Sequence, residues 1–511
     1  MAIDSYCLIT AAAGAGWLLS ILLEYALLPA VLRQRSSYWR NKAVHLGLWL
    51  LVYGLELLLW QRPWFAALNV LALHALILLV NNAKYQALRE PFIFQDFEYF
   101  TDAIRHPRLY LPFFGVWPAI AAAAGFVLVV IAGLMLEPTL PASWLATAVC
   151  GLVLAVAGWL LARAAARSAD AMSFAAVRDT QEYGFLSSLW AYAVAERRSV
   201  AALREAAPFA VAGGQRDARA LPDLVTIQSE SFFDARRAFP AVNPDVLTQF
   251  DRLRAESVAC GQLTVDAWGA NTVRTEFSFL AGLDAEQLGV HRFNPYRVLA
   301  QQGVATLASF LRKQGYRTVC VHPYVAGFYR RDHVMPLLGF DTFLTLPDFA
   351  DAEHFGPYVS DKAVADKVCA LLGEERTAPL FIHVITMENH GPLHWESVTP
   401  EERQDLLGAD ATAETDELAV YTRHLRNVDH LYAQVAATLQ TGTRPGGLCL
   451  FGDHVPIMPK VYQTWGEPDG KTDYLIWSST HAGRNAVSTE RVLTPAQLSF
   501  EFVRHMDLLE V

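Results

Sequence analysis

Long apolar stretches fill the first third of the chain, and short apolar runs alternate with amphipathic segments after residue 220. A helix that crosses a membrane needs about 20 mostly apolar residues. Five stretches of this kind predict a transmembrane domain of about five helices over residues 1–165. The predicted spans are residues 7–32, 43–60, 63–82, 114–136 and 143–162.

Two segments near these spans differ from them in composition. Residues 81–112 are aromatic and mixed in charge, which indicates an interfacial segment at the lipid surface, with a plain connecting loop as the alternative. Residues 166–220 predict a juxtamembrane helix and then a linker, because the segment ends in a stretch rich in Gly, Ala and charge. We therefore expect a second domain over residues 221–511.

Four short apolar runs of the second domain each end in polar side chains. Their alternation with helical patterns predicts α/β layering. Because ligands of open α/β sheets bind outside the carboxyl ends of the strands, we expect these polar groups to converge on one edge. The runs are LVTI (224–227), RTVCV (317–321), LFIHVIT (380–386) and LCLF (448–451), and the polar residues after them include Glu230, His322, Glu388, His390, Asp453 and His454.

This set of side chains suits a metal ion. Carboxylate oxygens and imidazole nitrogens are ligands for a divalent cation such as Mn²⁺, Mg²⁺ or Zn²⁺. For any single strand ending, a turn or a helix cap is the alternative. Four endings of the same kind favour a shared metal site.

A threonine in the segment DAWGANTVRTEFSFLAGL (266–283) is the candidate nucleophile. Residues 269–271 predict a tight turn, and Thr272 follows at the start of a helical pattern. Amide groups and the dipole at a helix N-terminus favour an anion such as phosphate. A cation bound to the Thr272 hydroxyl would favour its ionised, nucleophilic form, and a simple N-cap role is the alternative.

Two further segments offer side chains suited to a phosphate ligand. GFYRRDHVMPLLGFDTF (327–343) places Arg330 and Arg331 after an aromatic residue, and Arg can bind phosphate in a bidentate manner. A solvated basic surface is the alternative for this pair. ENHGPLHW (388–395) places His390 and His394 in a Gly-Pro loop after a predicted strand.

Charge and cysteine content narrow the function classes. The formal net charge of −10 argues against a nucleic-acid partner, which requires a basic surface. With 53% hydrophobic and 18% charged residues, the chain is more apolar than an average soluble protein. Its six cysteines lack a metal-ligand spacing and are interpreted as small buried hydrophobic residues.

The order of these motifs resembles the lipoteichoic acid synthase type of phosphoglycerol transferases, in the alkaline phosphatase/sulfatase superfamily. The motifs are the Glu after the first strand, the Thr turn, the aromatic-Arg-Asp segment, NHGP and GDH, and the resemblance covers about residues 220–480. Apolar spans before a soluble domain match the same architecture. The resemblance implies a five-helix transmembrane domain followed by an alkaline-phosphatase-like α/β domain, with a mostly parallel central sheet and helices on both faces.

The resemblance also implies roles for individual residues. The nucleophile would be Thr272, and Glu276 matches the Glu of the family's T-x-x-x-E-F pattern. The metal ligands would be Glu230, Thr272, Asp453 and His454. The substrate-binding residues would be Arg331, His390, Tyr329 (a Trp in the family pattern) and His322. Arg330 stands where the family pattern has Asn, which bears on the choice of head group.

The implied activity is phosphoglycerol transfer with one divalent cation, for which Mn²⁺ is the first candidate and Mg²⁺ or Zn²⁺ are alternatives. Thr272 would attack phosphatidylglycerol and release diacylglycerol. The resulting phosphoglyceryl-threonine would be transferred to a cell-envelope glycan or a polyglycerol phosphate chain. A phosphoethanolamine transferase or a phosphodiesterase on the same scaffold is one alternative, and a non-catalytic membrane receptor or scaffold is another.

Two arguments predict opposite orientations of the chain in the membrane. The basic loop RQRSSYWRNK (33–42) would lie in the cytosol by the positive-inside rule, which with five spans leaves the second domain cytosolic. The resemblance implies a bacterial cytoplasmic-membrane protein whose catalytic domain faces the periplasm or the cell exterior. We follow the resemblance, because the charge rule has exceptions.

Overall fold

The computed structural model describes residues 2–30, 38–98, 115–140, 143–167, 171–210, 221–409, 411–483 and 490–509. The chain forms two compact units, Met1–Arg198 and Ser199–Val511. Parts of several predicted segments lie outside the described residues: 31–32 of the first span, 33–37 of the basic loop, 99–112 of the interfacial segment, 114 of the fourth span, and 168–170 and 211–220 of the juxtamembrane and linker segment.

The described part of the first unit is helical. Its α-helices are α1 (Ala2–Leu23), α2 (Tyr38–Trp60), α3 (Pro63–Leu88), α4 (Val116–Leu136), α5 (Trp144–Ala165), α6 (Ala176–Tyr183) and α7 (Phe185–Ala195). Short 3-10 helices follow at Glu24–Ala26 and Phe94–Glu98. Because α3 continues to Leu88, residues 81–88 of the predicted interfacial segment belong to that helix.

Four segments of this unit are long and apolar enough to cross a membrane, by length and composition: Asp4–Ala26, Trp39–Trp60, Pro63–Leu88 and Trp144–Ala165. The fourth predicted span, residues 114–136, coincides with α4, whose stretch Ala123–Leu136 is a shorter apolar helix. The predicted helical membrane region is therefore confirmed, and its count of five is approximate.

Glycines set the packing of α2 against α5. A Cβ on Gly54 would lie 2.4 Å from the Gly151 carbonyl oxygen, and one on Gly158 would lie 2.5 Å from the Gly47 carbonyl oxygen. Each helix thus repeats a contact glycine every seven residues, which keeps small residues on one face and lets the two backbones touch.

The second unit is built on an eight-stranded sheet with the order β10-β2-β9-β8-β1-β7-β3-β4. Its strands are β1 (Asp223–Ser229), β2 (Ala259–Leu263), β3 (Arg317–Val321), β4 (Thr342–Leu344), β7 (Leu380–Ile385), β8 (Gly446–Gly452), β9 (Thr472–Ser478) and β10 (Arg491–Leu493). Only β9 runs antiparallel to its neighbours in this sheet. A separate hairpin pairs β5 (His354–Phe355) with β6 (Tyr358–Val359).

Helices cover both faces of the sheet. On one face Val225 and Ile227 of β1 join a core that includes Val435, and on the other Leu224 joins a core that includes Phe277. Strands buried on both faces are typical of parallel α/β sheets, so the predicted fold class is confirmed. The α-helices are α8 (Ala201–Glu205), α9 (Thr248–Glu256), α10 (Thr272–Ala281), α11 (Ala285–Leu288), α12 (Leu307–Lys313), α13 (Arg331–Leu337), α14 (Asp361–Gly373), α15 (Pro400–Leu407), α16 (Asp416–Thr441), α17 (Pro459–Trp465) and α18 (Pro495–His505).

The four strands predicted to end in polar side chains are neighbours in the sheet. They stand in the order β8-β1-β7-β3, and each adjacent pair is parallel. At their carboxyl ends Ser229 pairs with Gly452, and Gln228 pairs with Ile385. The polar residues that follow these strands therefore emerge at one edge, as the sequence predicts.

Candidate active site

Three predicted metal ligands meet at this edge. Glu230 follows β1, and Asp453 and His454 follow β8. One ligand atom from each lies within 4.8 Å of the other two, and all three residues are buried. His454 Nε2 lies 3.5 Å from Glu230 Oε1 and 3.4 Å from Asp453 Oδ2. The structure thus brings together three of the four metal ligands that the resemblance implies. The fourth, Thr272, lines the same cavity as Glu230.

The hydrogen bonds of this cluster leave room for a cation. His454 Nδ1 lies 3.1 Å from the Val455 carbonyl oxygen and donates to it, so in the neutral ring Nε2 carries a lone pair. Asp453 Oδ1 accepts from the backbone amides of Ser231 and His454, at 2.8 and 2.9 Å. Asp453 Oδ2 is buried and has no hydrogen-bond partner among the described residues. An unpartnered carboxylate oxygen beside an imidazole lone pair fits a bound divalent cation.

The electrostatics support the same conclusion. Burial, and then the charge of Asp453, raise the pKa of Glu230 to about 8. Two adjacent carboxylates out of water disfavour simultaneous ionisation. A cation between them would remove that penalty and keep both ionised.

Thr272 begins a helix at the same edge. It is the first residue of α10 and follows Asn271, whose backbone is left-handed at φ 68°. Two hydrogen bonds tie this turn and its helix to the segment that follows β8: Gly269 N donates to the Val455 carbonyl at 3.1 Å, and Thr275 Oγ1 donates to the Asp453 carbonyl at 2.8 Å. The predicted turn and helix start are therefore present, and these two hydrogen bonds fix them beside two of the predicted metal ligands.

A cavity of about 330 Å³, including its open mouth, joins these groups to the other predicted residues. Every predicted substrate-binding residue lines it, together with Thr272 and Glu230. The lining residues are Glu230, Ala270, Asn271, Thr272, His322, Phe328, Tyr329, Arg331, Ile385, Met387 and His390.

Arg331 is buried against this cavity, with 1% of its surface exposed. Its Nη2 and Nε donate to Glu276 at 2.6 and 3.3 Å, and its Nη1 lies 3.2 Å from His322 Nε2. Tyr296 donates a hydrogen bond to the same carboxylate. Burial, and then the charge of Arg331, lower the pKa of His322 well below its ordinary value. Arg331 is therefore held in one orientation by a carboxylate and a neutral imidazole.

His390 and Tyr329 also line the cavity. His390 Nδ1 donates to the Gly391 carbonyl at 2.8 Å, which leaves Nε2 as an acceptor. The Arg331 guanidinium carbon lies 5.2 Å from the centre of the Tyr329 ring, a cation–π contact. His394, the other histidine of that loop, is exposed near Glu417 and does not line the cavity.

Sequence reasoning missed Ser231, although it directly follows Glu230. Its backbone amide binds Asp453, and its hydroxyl donates to Glu230 Oε1 at 2.9 Å. Asn389 was also missed: its side chain donates to the Glu230 carbonyl at 3.2 Å and lies 3.1 Å from His424 Nδ1. Ser231 could have been found from its position in the SES triplet. The contacts of Asn389 could be recognised only in the folded structure.

Left-handed backbone conformations concentrate around the site. Ser231, Asn271, Tyr329 and Arg330 have φ values of 54°, 68°, 54° and 56°. Each such conformation costs about 1–3 kcal/mol and persists only where surrounding contacts impose it. The loops that carry the site are therefore held in shape by contacts such as those of Ser231.

Known proteins resemble this chain over its length. The family model described as Sulfatase matches residues 222–510. The capsular polysaccharide biosynthesis protein RkpI of Rhizobium meliloti (strain 1021) is 29% identical over 524 residues, which covers 94% of this chain and 91% of that protein.

Two solved structures are also similar. The phosphoethanolamine transferase EptA, an integral membrane protein from Neisseria meningitidis, is 15% identical and aligns with a TM-score of 0.58 over 98% of this chain and 95% of its own, which shows a shared fold. The Streptococcus pyogenes phosphoglycerol transferase GacH, solved with sn-glycerol-1-phosphate, is 25% identical with a TM-score of 0.47 over 57% of this chain and 76% of its own.

Proposed function

The chain belongs to the sulfatase family, and we propose that it is a membrane-bound, metal-dependent phosphoglycerol transferase. It would move glycerol phosphate from phosphatidylglycerol to a cell-envelope glycan or polymer through a phospho-threonine intermediate. One observation carries this proposal: a single cavity is lined by Thr272, by the metal ligand Glu230, by Arg331 and by His390. A nucleophile, a cation site and phosphate-binding groups are the parts that phosphoryl transfer requires.

Different residues of the chain would bind the cation and attack the phosphate. Glu230, Asp453 and His454 would hold the cation, which when bound supplies positive charge that stabilises the phosphate and the ionised Thr272 hydroxyl. The Thr272 oxygen attacks phosphorus, the bond from phosphorus to the diacylglycerol oxygen breaks, and diacylglycerol leaves with a proton. An acceptor hydroxyl then attacks the same phosphorus, and Thr272 regains its proton.

Arg331 and His390 would orient the phosphoglycerol group. Three of the five N–H groups of Arg331 donate to Glu276 and His322, so one remains on each Nη nitrogen for the phosphate oxygens. His390 Nε2 is available to accept from a hydroxyl of the head group. Apolar side chains such as Phe328 and Met387 also line the cavity.

The charges of the cavity favour glycerol over ethanolamine as the head group. Among the described lining residues Glu230 is the one carboxylate, and it belongs to the cation site. An ammonium group would therefore lack an anionic partner there, whereas glycerol hydroxyls can pair with neutral groups such as Asn271 and His390.

The relatives and the membrane helices support a proposal for the acceptor and the cellular location. RkpI is a capsular polysaccharide biosynthesis protein, which supports a glycan as the acceptor. The apolar helices of the first unit would anchor the chain in a bacterial cytoplasmic membrane, where its lipid donor resides. We place the catalytic unit on the periplasmic or outer side, where such glycans are assembled.

The test is to identify the group that becomes attached to Thr272. The purified full chain, loaded with Mn²⁺, is incubated with phosphatidylglycerol or phosphatidylethanolamine, and the peptide that contains Thr272 is weighed by mass spectrometry. We expect a glycerophosphoryl adduct with the first lipid only, and none in Thr272→Ala or after chelation. A phosphoethanolamine adduct would establish the alternative transferase, and a protein that binds no metal and forms no adduct would establish a scaffold.

A further inference from the structure

His322 lines the cavity, yet protein groups use both of its ring nitrogens. Its Nδ1 lies 3.2 Å from the Ile385 carbonyl oxygen, which can only accept a hydrogen bond, so Nδ1 carries the proton. Its Nε2 lies 3.2 Å from Arg331 Nη1, which can only donate, so Nε2 accepts. The ring is neutral and has neither a free N–H nor a free lone pair for a substrate.

Glu276 complements His322 on the other side of the guanidinium. It takes the Nε and Nη2 donors of Arg331, and its carboxylate is fully buried. The two contacts restrain the guanidinium at all three of its nitrogens. The carboxylate of Glu276 neutralises the charge of Arg331. Two N–H groups of Arg331 make no hydrogen bond to Glu276 or His322.

We infer that His322 and Glu276 are positioning residues that fix the orientation of Arg331, and that His322 neither binds substrate nor transfers protons. This revises the substrate-binding role that the motif order implies for His322. The phosphate-binding role of Arg331 itself rests on the proposed function. An arginine with two directed donors holds phosphate oxygens in line for attack, and a small misplacement costs roughly 100-fold in rate.

Two substitutions of His322 separate positioning from proton transfer. The amide oxygen of His322→Gln can reach the position of Nε2 and accept from Arg331, whereas that of His322→Asn reaches only the position of Nδ1. We expect His322→Gln to keep glycerol phosphate affinity and kcat within about threefold, with an unchanged pH profile. We expect His322→Asn to lose roughly 10- to 100-fold in kcat/KM.

A double-mutant cycle tests Glu276. If Glu276 acts through Arg331, Glu276→Gln should lower glycerol phosphate affinity roughly tenfold in the wild type and have little further effect in Arg331→Lys. A purely structural role would give the same loss in both backgrounds. Mn²⁺ content and Tm show whether each variant is folded.

Binding is measured by calorimetry with sn-glycerol-1-phosphate on the Mn²⁺-loaded full chain, and turnover is measured with phosphatidylglycerol. Equal losses in His322→Gln and His322→Asn, a changed pH profile in His322→Gln, or additive effects in the cycle would overturn the positioning role. A wild-type protein that binds no glycerol phosphate would overturn it as well. A wild type that binds glycerol phosphate but does not cleave the lipid would overturn the proposed function alone.

Discussion

Two clusters of buried charged side chains each contribute residues to the lining of one cavity, and their charges are compensated differently. The open cluster consists of Glu230, Asp453 and His454, and the closed cluster consists of Glu276, Arg331 and His322. In the closed cluster a carboxylate meets a guanidinium, and the imidazole accepts from that guanidinium. In the open cluster two carboxylates face one imidazole, and Asp453 Oδ2 has no hydrogen-bond partner among the described residues.

The difference shows which cluster needs a further component. Buried charges are costly unless they are paired and hydrogen-bonded. The chain supplies that pairing for Arg331 from its own residues. Under the proposed function, a cation would supply the pairing for Glu230 and Asp453. The closed cluster would then be the fixed part of the site, and the cation its removable part.

The largest expected effect comes from breaking the closed cluster. Glu276→Ala leaves Arg331 buried without its counter-ion and should lower the free energy of unfolding by about 3–5 kcal/mol, with or without Mn²⁺. Glu230→Gln is the matched control in the open cluster: it removes one of two repelling carboxylates and should not destabilise the metal-free protein at pH 8. Urea unfolding with and without a chelator measures both, and equal losses in the two variants would contradict the comparison.

The pH dependence of the free energy of unfolding should differ between the metal-free protein and the Mn²⁺-bound protein. The pKa of Glu230 is raised to about 8 in the metal-free fold. Between the ordinary carboxyl pKa and pH 8 the folded state thus binds a proton that the unfolded state has lost. Stability of the metal-free protein should therefore fall as pH rises through this window, by on the order of a few kcal/mol.

Stabilisation by Mn²⁺ should have the opposite pH dependence. Cation binding requires ionised Glu230, so stabilisation by Mn²⁺ should grow as pH rises from 5 to 8 and reach about 2.7 kcal/mol at 100 times the Kd. Thermal melts in chelator and in Mn²⁺ across this range measure both trends. Parallel curves would show that Glu230 does not bind the metal.

The open cluster could be predicted from the sequence, and the closed one only in part. Glu230, Asp453 and His454 follow apolar runs within three residues, and parallel strands bring their carboxyl ends to one edge whatever their order. The resemblance then singles out these three among the polar residues that follow the strands. Glu276 and Arg331 are 55 positions apart, and nothing in either segment states that they pair. The role of His322 depends on which ring nitrogen faces Ile385, which only the packed structure supplies.

Gly452 shows another limit of sequence reasoning. A glycine before Asp453 suggests a sharp exit from the strand, but Gly452 is not among the glycines with positive φ. The structure requires glycine there for space, because an added Cβ would lie 1.8 Å from the Phe232 carbonyl oxygen. When two backbone segments that are distant in sequence approach closely, the local sequence of neither segment shows it.

A methyl group at Gly452 should therefore disturb the open cluster. Gly452→Ala must displace backbone on one side of Asp453, and we expect a loss of about 1–3 kcal/mol together with weaker Mn²⁺ binding. Gly447→Ala in the same strand is the control, because its Cβ would meet the flexible side chain of Met506, 2.3 Å away at Sδ. Calorimetric titration with Mn²⁺ compares the two variants. Equal Mn²⁺ affinities would show that the site tolerates the backbone displacement at Gly452.

The smallest effect should come from Arg330, which lies next to the closed cluster in sequence but is exposed and left-handed at φ 56°. Asn tolerates this conformation better than Arg, so Arg330→Asn should raise the free energy of unfolding by about 0.5 kcal/mol. Since the side chain of Arg330 does not line the cavity, Mn²⁺ affinity should stay unchanged in the same variant. A change in metal affinity would show that backbone strain at Arg330 reaches the open cluster, and that the two clusters are coupled rather than independent.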